Sequence, residues 1–274
     1  MNLPSIIAPP STDVFNADKI AQTLQDRGFC ILDDFLDLDA TVLDNLCTIA
    51  RDKVAAEACP TQQSTAIRRD VTCDIDPLQN LHGLMPGLES VCRLIQFYCC
   101  RELGRAMGLD LYCRERPQLA HYPGGSTFYC RHFDNPRFLE HTDNDDEMEG
   151  RDNKRRLTVI YYLNKDWVTT FMSSPTEVQE ADGTGVNGQL KIYPSKSEGE
   201  VVYVEPIFNR VVIFLSDTIE HEVLPTINSR YALTIWLSIK DESNSTLGDG
   251  DTMQAYQEMF EQLSAMFYPN ICGR

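Results

Sequence analysis

The stretch Tyr122-Pro-Gly-Gly-Ser-Thr-Phe-Tyr-Cys-Arg-His-Phe-Asp134 ends in a histidine and an aspartate separated by one residue. Side chains two positions apart leave the same face of an extended chain. The imidazole of His132 and the carboxylate of Asp134 would therefore converge on one point. The stretch predicts two ligands of a metal site on a β-strand.

A third ligand is available far downstream in His221, which follows the apolar run Val211-Val-Ile-Phe-Leu-Ser-Asp217. Two histidines and one carboxylate hold one face of an octahedral Fe(II) and leave the other positions open for oxygen and a cosubstrate. His132, Asp134 and His221 are therefore the candidate iron ligands. A lone His-x-Asp pair occurs by chance in many chains, so the downstream context carries the specificity.

That context includes the strand Arg230-Tyr-Ala-Leu-Thr-Ile-Trp236, which begins nine residues after His221. Arg230, Thr234 and Trp236 share one face of this strand, so Arg230 and Thr234 would point together into a barrel. A buried cation at position 230 suits a dicarboxylate. The alternative for Arg230 is an exposed charge at the end of a strand.

Composition excludes several classes of protein. The chain has 274 residues, 42% of them hydrophobic, and a formal charge of −17. This charge argues against nucleic-acid binding, which needs a basic surface. No segment is long and apolar enough for a membrane span, and no secretory signal is visible. We expect a protein that binds neither nucleic acid nor membrane.

The ten cysteines include no Cys-x-x-Cys pair, so a zinc site is not indicated. Several lie in apolar patterns, where cysteine behaves as a small buried hydrophobe. Free thiols indicate a reducing compartment, which we take to be cytoplasmic and/or nuclear. We also expect a monomer.

Apolar periodicity changes along the chain and divides it into regions. Helical spacing predicts helices over 16–27, 40–57, 87–107 and 251–267, with a short strand over 29–32. Period-two patterns predict strands over 109–122, 127–133, 156–163, 189–194, 200–204, 210–216 and 230–239. The division that follows is a flexible arm (1–15), a helical support region with a substrate loop (16–108), a barrel (109–242) and a C-terminal helix (243–274). Segments 137–154 and 168–188 are expected to be exposed insertions.

At this point the sequence resembles the 2-oxoglutarate- and Fe(II)-dependent oxygenases, specifically the prolyl 4-hydroxylases of the hypoxia-inducible-factor type. The matching blocks are Tyr122-Pro-Gly, Arg131-His-Phe-Asp-Asn-Pro136, Ile160-Tyr-Tyr-Leu-Asn-Lys-Asp-Trp167, Leu190-Lys-Ile-Tyr-Pro194, His221-Glu-Val and Arg230-Tyr-Ala-Leu-Thr-Ile-Trp236. The resemblance implies an α+β fold that is mainly β, a double-stranded β-helix (jelly-roll) barrel flanked by helices.

The resemblance also implies roles for individual residues. His132, Asp134 and His221 become the ligands of Fe(II), and Arg230 becomes the partner of the distal carboxylate of 2-oxoglutarate. The remaining pocket residues are Tyr162, which would hydrogen-bond that carboxylate, Tyr122 and Thr234, which would line the pocket, and Tyr129 and Trp236, which would border the substrate proline. The implied cofactors are Fe(II), 2-oxoglutarate, O2 and ascorbate.

The irregular segment that contains Arg68-Arg69-Asp70 corresponds to a loop that folds over the substrate in the animal relatives. By resemblance Asp70 would sit opposite Arg155 and fasten this loop when it closes. Two departures leave the substrate open: the segments after Pro136 and after Trp167 are long here, and the zinc finger of some animal members is absent.

The implied activity is hydroxylation of a proline in an intracellular protein. Two substrate classes fit: a hypoxia-type transcription factor, which would make the enzyme an oxygen sensor, and the adaptor subunit of a ubiquitin ligase. The absence of extra domains and the long loops favour the adaptor or an unidentified target. The alternatives are a small-molecule 2-oxoglutarate hydroxylase and a binding module without catalytic activity.

Overall fold

The computed structural model describes residues 10–11, 13–37, 40–61, 63–79, 87–136, 153–167, 187–194, 200–239, 254 and 258–263. The helices are α1 (Ala17–Arg27), α2 (Ala40–Glu57), α3 (Leu88–Phe97) and α4 (Gly104–Met107), with a π-helical segment (Tyr98–Leu103) between the last two. The strands are β1 (Phe29–Leu32), β2 (Cys59–Pro60), β3 (Val71–Asp74), β4 (Leu111–Tyr112), β5 (Gln118–Tyr122), β6 (Thr127–His132), β7 (Arg155–Tyr162), β8 (Leu190–Tyr193), β9 (Val202–Val204), β10 (Val211–Leu215), β11 (Glu220–Thr226) and β12 (Arg230–Ile239).

The strands form two antiparallel sheets. The major sheet has the order β1-β10-β7-β12-β5-β3-β2, and β4 pairs with the end of β12. The minor sheet has the order β6-β11-β8-β9. Apolar residues of both sheets share one buried cluster, so the sheets pack face to face. This arrangement, with helices on one side, confirms the double-stranded β-helix that the family resemblance implies.

Alternation along the strands of the major sheet builds a core on each of its faces. In β7, Leu157, Val159 and Tyr161 pack with the helices, whereas Ile160 and Tyr162 pack between the two sheets. Successive side chains of a strand point to opposite faces, so one apolar run serves both cores. The major sheet is therefore a buried layer between the helices and the barrel interior.

The residues at the two ends of α1 explain where this helix begins and ends. The Asn16 side chain accepts a hydrogen bond from the Lys19 backbone N–H (3.0 Å), which satisfies one of the free donors at the helix start. Gly28 ends the helix with φ 81°, a conformation that glycine adopts without strain. The helix predicted over 87–107 is also present, although its middle part, Tyr98–Leu103, is π-helical.

Several strands differ from the sequence prediction. The strand expected over 109–122 is divided into β4 and β5, and Pro117, which has no N–H to donate, lies just before β5. Strands β2 and β3 lie in the segment expected to be irregular, and together with β1 they extend the major sheet. Strand β11 was not predicted at all.

Other sequence predictions fall at the ends of the described residues. Phe15, within the predicted flexible arm, is buried and packs against Phe35 and Tyr98 with ring centroids 6.1 and 5.2 Å away. Residues 258–263 are helical, as predicted, and Met259 is buried. Residues 1–9 and most of the two insertions lie outside the described part, and the division into four regions stays a prediction.

Among the helices that the structure describes, none has the length and apolar character needed to cross a membrane.

Candidate metal and cosubstrate site

The register of the minor sheet brings two histidines together. His132 is the last residue of β6, and it lies directly opposite His221 of β11. Their ring centroids are 4.3 Å apart. In each residue the Nδ1 atom lies within hydrogen-bond distance of a backbone carbonyl, Cys130 O at 2.8 Å and Ile219 O at 3.3 Å. If each Nδ1–H donates to its carbonyl, both Nε2 atoms are free to bind a metal.

Asp134 completes the group from outside the strand. Strand β6 ends at His132, so Asp134 stands in the following bend and not in the extended chain that the sequence predicted. Its Oδ2 atom accepts hydrogen bonds from Thr158 Oγ1 (2.7 Å) and Trp236 Nε1 (3.0 Å). Its Oδ1 atom lies 3.4 Å from His132 Nε2 and 4.0 Å from His221 Nε2. One carboxylate oxygen is therefore anchored and the other faces the imidazoles.

The electrostatics of this group favour metal binding. Burial lowers the pKa of His221 to about 4, so this imidazole is neutral at physiological pH. Burial alone would raise the pKa of Asp134, but its interactions with His132 and His221 and the hydrogen bond from Thr158 together hold it well below its usual range. A neutral imidazole and an ionised carboxylate are the protonation states that a metal ligand needs.

The donor set fits Fe(II). One ligand atom from each of His132, Asp134 and His221 lies within 4.8 Å of the other two. This is the 2-His-1-carboxylate arrangement that leaves open positions on non-haem iron. Among the described residues, this is the group of potential ligands that could hold a metal ion.

Arg230 lies on the wall of the same pocket, at the start of β12. It is 1% exposed, and its guanidinium lies 4.9 Å from the Tyr122 ring and 5.1 Å from the Tyr162 ring. Its Nη2 donates to the Tyr162 hydroxyl at 3.4 Å, while its buried Nε has no hydrogen-bond partner among the described residues. No carboxylate of the described residues forms an ion pair with it. A buried cation with an unused donor fits an incoming carboxylate.

The two tyrosines keep the surroundings of Arg230 uncharged. Burial raises the pKa of both Tyr122 and Tyr162 above the usual tyrosine range. Both phenols are therefore neutral at physiological pH. The hydroxyl of Tyr162 is placed beside the guanidinium, where it can act as a second donor to a bound carboxylate.

The three candidate iron ligands and Arg230 line one pocket of about 440 Å³. Thr234 and Trp236 line it from β12 together with Arg230, as the alternation of that strand predicts. The residues of the opposite face, such as Leu233 and Ile235, pack with the helices. The predicted orientation of β12 is therefore confirmed.

Aromatic rings and arginines surround the metal ligands in this pocket. Tyr129 stacks on His132 with ring centroids 3.8 Å apart, and the Arg68 guanidinium lies 4.2 Å from the Tyr129 ring. Trp236 carries the Arg155 guanidinium 4.1 Å from its ring. Tyr129 and Trp236, the residues expected to border a substrate, thus both lie beside the metal ligands.

The expected pairing of Asp70 with Arg155 is absent from this structure. The buried Asp70 carboxylate binds Arg68, with Arg68 Nε donating to Oδ1 at 2.7 Å. Arg155 instead donates from Nε to Glu115 Oε1 at 3.0 Å. Each of the two residues has a closer partner of opposite charge, so neither is available to the other here.

The segment that carries these residues also differs from the irregular loop that its composition suggested. The N–H of Arg69 donates to Phe128 O (3.0 Å), and the N–H of Cys130 donates to Ile67 O (2.8 Å). These bonds pair residues 67–69 with β6, so the segment lies against the strand that carries His132.

Thr158 is a site residue that the sequence analysis missed. It lies on β7, where positions 158, 160 and 162 share one face. Because Tyr162 was expected to face the pocket, the same alternation places Thr158 inward. The available sequence signal was a hydroxyl residue within the run Leu157-Thr-Val-Ile-Tyr-Tyr162. In the structure Thr158 is fully buried, and its partners are Asp134 and Ser216.

Comparison with known proteins agrees with this geometry. Residues 117–238 match the family model of the 2OG-Fe(II) oxygenase superfamily. Human prolyl hydroxylase EGLN3 is 33% identical over 229 residues, which cover 80% of this chain and 82% of the human protein. The chain belongs to the 2OG-Fe(II) oxygenase superfamily. Fe(II), 2-oxoglutarate and O2 are the cofactors of this family, and the donor set and Arg230 fit them.

The chain is also similar to longer proteins and to solved structures. Rat Egl nine homolog 1 is 28% identical over 234 residues, which cover 82% of this chain and 59% of the rat protein. The chain thus spans less than two thirds of that relative. A prolyl hydroxylase from Trichoplax adhaerens, solved with a peptide of the hypoxia inducible factor oxygen degradation domain, is 27% identical with a TM-score of 0.59, covering 82% of this chain and 89% of that chain.

Proposed function

We propose that this oxygenase is a peptidyl-proline 4-dioxygenase that hydroxylates a proline of an intracellular protein. The observation that carries the proposal is the pocket in which His132, Asp134 and His221 converge while the buried Arg230 has no acidic partner among the described residues. Support also comes from human EGLN3, which is named as a prolyl hydroxylase, and from the Trichoplax prolyl hydroxylase, which was solved in complex with a peptide fragment.

In this proposal one set of residues binds the metal and another set binds the cosubstrate. His132, Asp134 and His221 would hold Fe(II) on one face, and Arg230 with Tyr162 would bind the distal carboxylate of 2-oxoglutarate. Thr234 and Tyr122 would line the pocket around the cosubstrate. When bound, these cofactors supply an O2-dependent oxidation in which the keto acid loses CO2 and one oxygen atom is transferred to a C–H bond.

In this proposal Tyr129 and Trp236 border the substrate proline. Both rings lie beside metal ligands, Tyr129 through its stack on His132 and Trp236 through its hydrogen bond to Asp134. Arg155 covers the ring of Trp236 in its pair with Glu115. In this proposal Asp70 supports the peptide side of the pocket by holding Arg68 over Tyr129.

The candidate substrates are a hypoxia-type transcription factor and the adaptor subunit of a ubiquitin ligase. A cytoplasmic and/or nuclear location is part of the proposal, and it is supported by the nine described cysteines, all of which are free thiols.

Two other functions compete with this proposal. A binding module without activity would not need three converging metal ligands and an arginine whose Nε is buried without a partner. A small-molecule hydroxylase would use the same metal site and cosubstrate, so it is separated from a protein hydroxylase by the substrate that turns over.

The test is intact-mass analysis of both candidate proteins after incubation with Fe(II), 2-oxoglutarate, O2 and ascorbate. We expect a mass gain of one oxygen atom, located by fragmentation on a single proline and lost when that proline is replaced by alanine. Asp134→Ala provides the matched inactive control. Turnover of free proline or a metabolite with no oxygen gain on either protein would refute the proposal.

A further inference from the structure

Gly188 lies next to the side chain of Arg230. It is the second residue after the undescribed part of the 168–188 insertion, and it has a positive φ of +67°. A Cβ added at this position would lie 2.9 Å from both Cβ and Oγ1 of Thr226 and 3.2 Å from Cδ of Arg230. Position 188 therefore has no room for a side chain, for a reason separate from its backbone conformation.

The backbone around Gly188 is hydrogen-bonded on both sides, which opposes a shift that would make room. The N–H of Gly188 donates to Pro225 O at 3.1 Å, and the N–H of Leu224 donates to Gln189 O at 3.0 Å. The side chain of Asn187 adds an acceptor for the turn that follows β11, receiving the N–H of Ile227 at 3.0 Å. Residues 187–189 are thus hydrogen-bonded to the C-terminal end of β11 and to the turn that follows it.

The two neighbours of the missing Cβ differ in how easily they can move. Thr226 is fully buried, its backbone pairs with Thr127, and its Oγ1 donates to the carbonyl of Asn228 at 2.5 Å. The Cδ of Arg230 is midway along a flexible side chain. A side chain at position 188 would therefore press on both residues: the collision with Thr226 persists wherever Arg230 lies, and Arg230 is the neighbour that can move away.

We propose that Gly188 is a positioning residue of the cosubstrate pocket, because its missing side chain leaves the space that Arg230 needs to place its guanidinium between Tyr122 and Tyr162. This inference rests on the proposed role of Arg230 as the partner of a dicarboxylate. It also gives the base of the 168–188 insertion a part in cosubstrate binding, since Gly188 belongs to that segment.

The test compares two glycines that share a backbone conformation. Gly108 has a φ of +66° at the end of α4, and a Cβ there would meet nothing within 4 Å. Gly108→Ala therefore carries the same left-handed strain as Gly188→Ala without the collision. Binding of 2-oxoglutarate is measured by titration calorimetry on the Mn(II)-loaded protein without O2, and binding of Mn(II) alone shows that the metal site is intact.

We expect Gly188→Ala to raise the Kd for 2-oxoglutarate at least about tenfold, which corresponds to about 1.4 kcal/mol, while Gly108→Ala changes it by less than about twofold. Mn(II) affinity should be unchanged in both variants. Gly188→Asn separates strain from collision, because asparagine tolerates positive φ but still carries a Cβ. It should bind 2-oxoglutarate as weakly as the alanine variant, and it replaces that variant if Gly188→Ala does not fold.

A thermal-unfolding cycle with Arg230→Ala gives a second measurement that needs no ligand. If the added Cβ displaces Arg230, Gly188→Ala should lower Tm by less in the Arg230→Ala background than in the wild type. Additive losses of Tm, or wild-type affinity for 2-oxoglutarate in Gly188→Ala or Gly188→Asn, would overturn the inference. A wild-type protein that binds no 2-oxoglutarate would instead overturn the proposed function.

Discussion

Replacing Arg230 by methionine should separate the function of this residue from its contribution to stability. Arginine is 1% exposed at this position and has no acidic partner among the described residues. Methionine keeps an apolar stem of similar length and removes the charge and all of the donors. The folded protein therefore loses little packing, and it no longer carries a buried cation that only a bound ligand could neutralise.

The magnitude follows from the surroundings of the guanidinium. A bound dicarboxylate would form a buried, charge-assisted pair with Arg230, next to the neutral hydroxyl of Tyr162 at 3.4 Å from Nη2. Loss of one partner of such a pair costs about 2–5 kcal/mol, which is roughly one and a half to nearly four decades in affinity. The Tm of the ligand-free variant should equal or exceed that of the wild type.

The assay combines calorimetric titration of 2-oxoglutarate with thermal unfolding in its presence and absence. 2-Oxoglutarate should raise the Tm of the wild type by mass action and leave that of Arg230→Met unchanged. Arg155→Met is the matched control, because Arg155 is paired with Glu115 beside Trp236 and should leave 2-oxoglutarate binding intact. Undiminished 2-oxoglutarate affinity in Arg230→Met, or a large drop in its ligand-free Tm, would refute this reasoning.

Three further predictions concern the candidate metal ligands and Thr158, which holds one of them. Asp134→Ala should retain the circular dichroism spectrum of the wild type while losing turnover and Fe(II) affinity, and retained turnover would remove Asp134 from the ligand set. Thr158→Val deletes the 2.7 Å hydrogen bond to Asp134 Oδ2 and should weaken metal binding about 10–100-fold, measured by Mn(II) titration; unchanged affinity would show that Trp236 suffices to hold the carboxylate. His221 has a folded pKa of about 4, below the unfolded value of about 6.5, so its contribution to stability is complete above pH 6.5 and is lost as pH falls toward 4. Denaturant titrations of the metal-free protein should show the free energy of unfolding falling over this pH range. His221→Asn should reduce that pH dependence.

Sequence alone was sufficient wherever a pattern is local. The alternation of β7 and β12 shows which side chains face the helices and which face the barrel. Side-chain direction alternates along a strand whatever the neighbouring strands are. The same rule placed Arg230, Thr234 and Trp236 on one wall of the pocket. It could also have placed Thr158 on the barrel-facing side of β7.

Strand β11 shows where local patterns fail. Its outward residues Glu220 and Glu222 and its Pro225 hide the strand character of the segment that carries His221. Register shifts relative to β6 after His221 and after Val223 break the alternation further. The strand exists because it is paired on both sides, with β6 and β8, and neither partner is adjacent to it in sequence.

The residue types and their spacing therefore predicted the candidate metal ligands and the cation of the pocket, and the resemblance of the sequence to a known family predicted the fold class. Only the tertiary structure decided that Asp70 pairs with Arg68 and Arg155 with Glu115, because the reach of a long charged side chain depends on which carboxylate the folded chain brings nearest. Only the tertiary structure revealed the constraint at Gly188, because its neighbours Thr226 and Arg230 lie on β11 and β12, far from Gly188 in the sequence. Residue types and their spacing set the chemistry of the site, whereas strand register and close packing set the distances at which that chemistry operates.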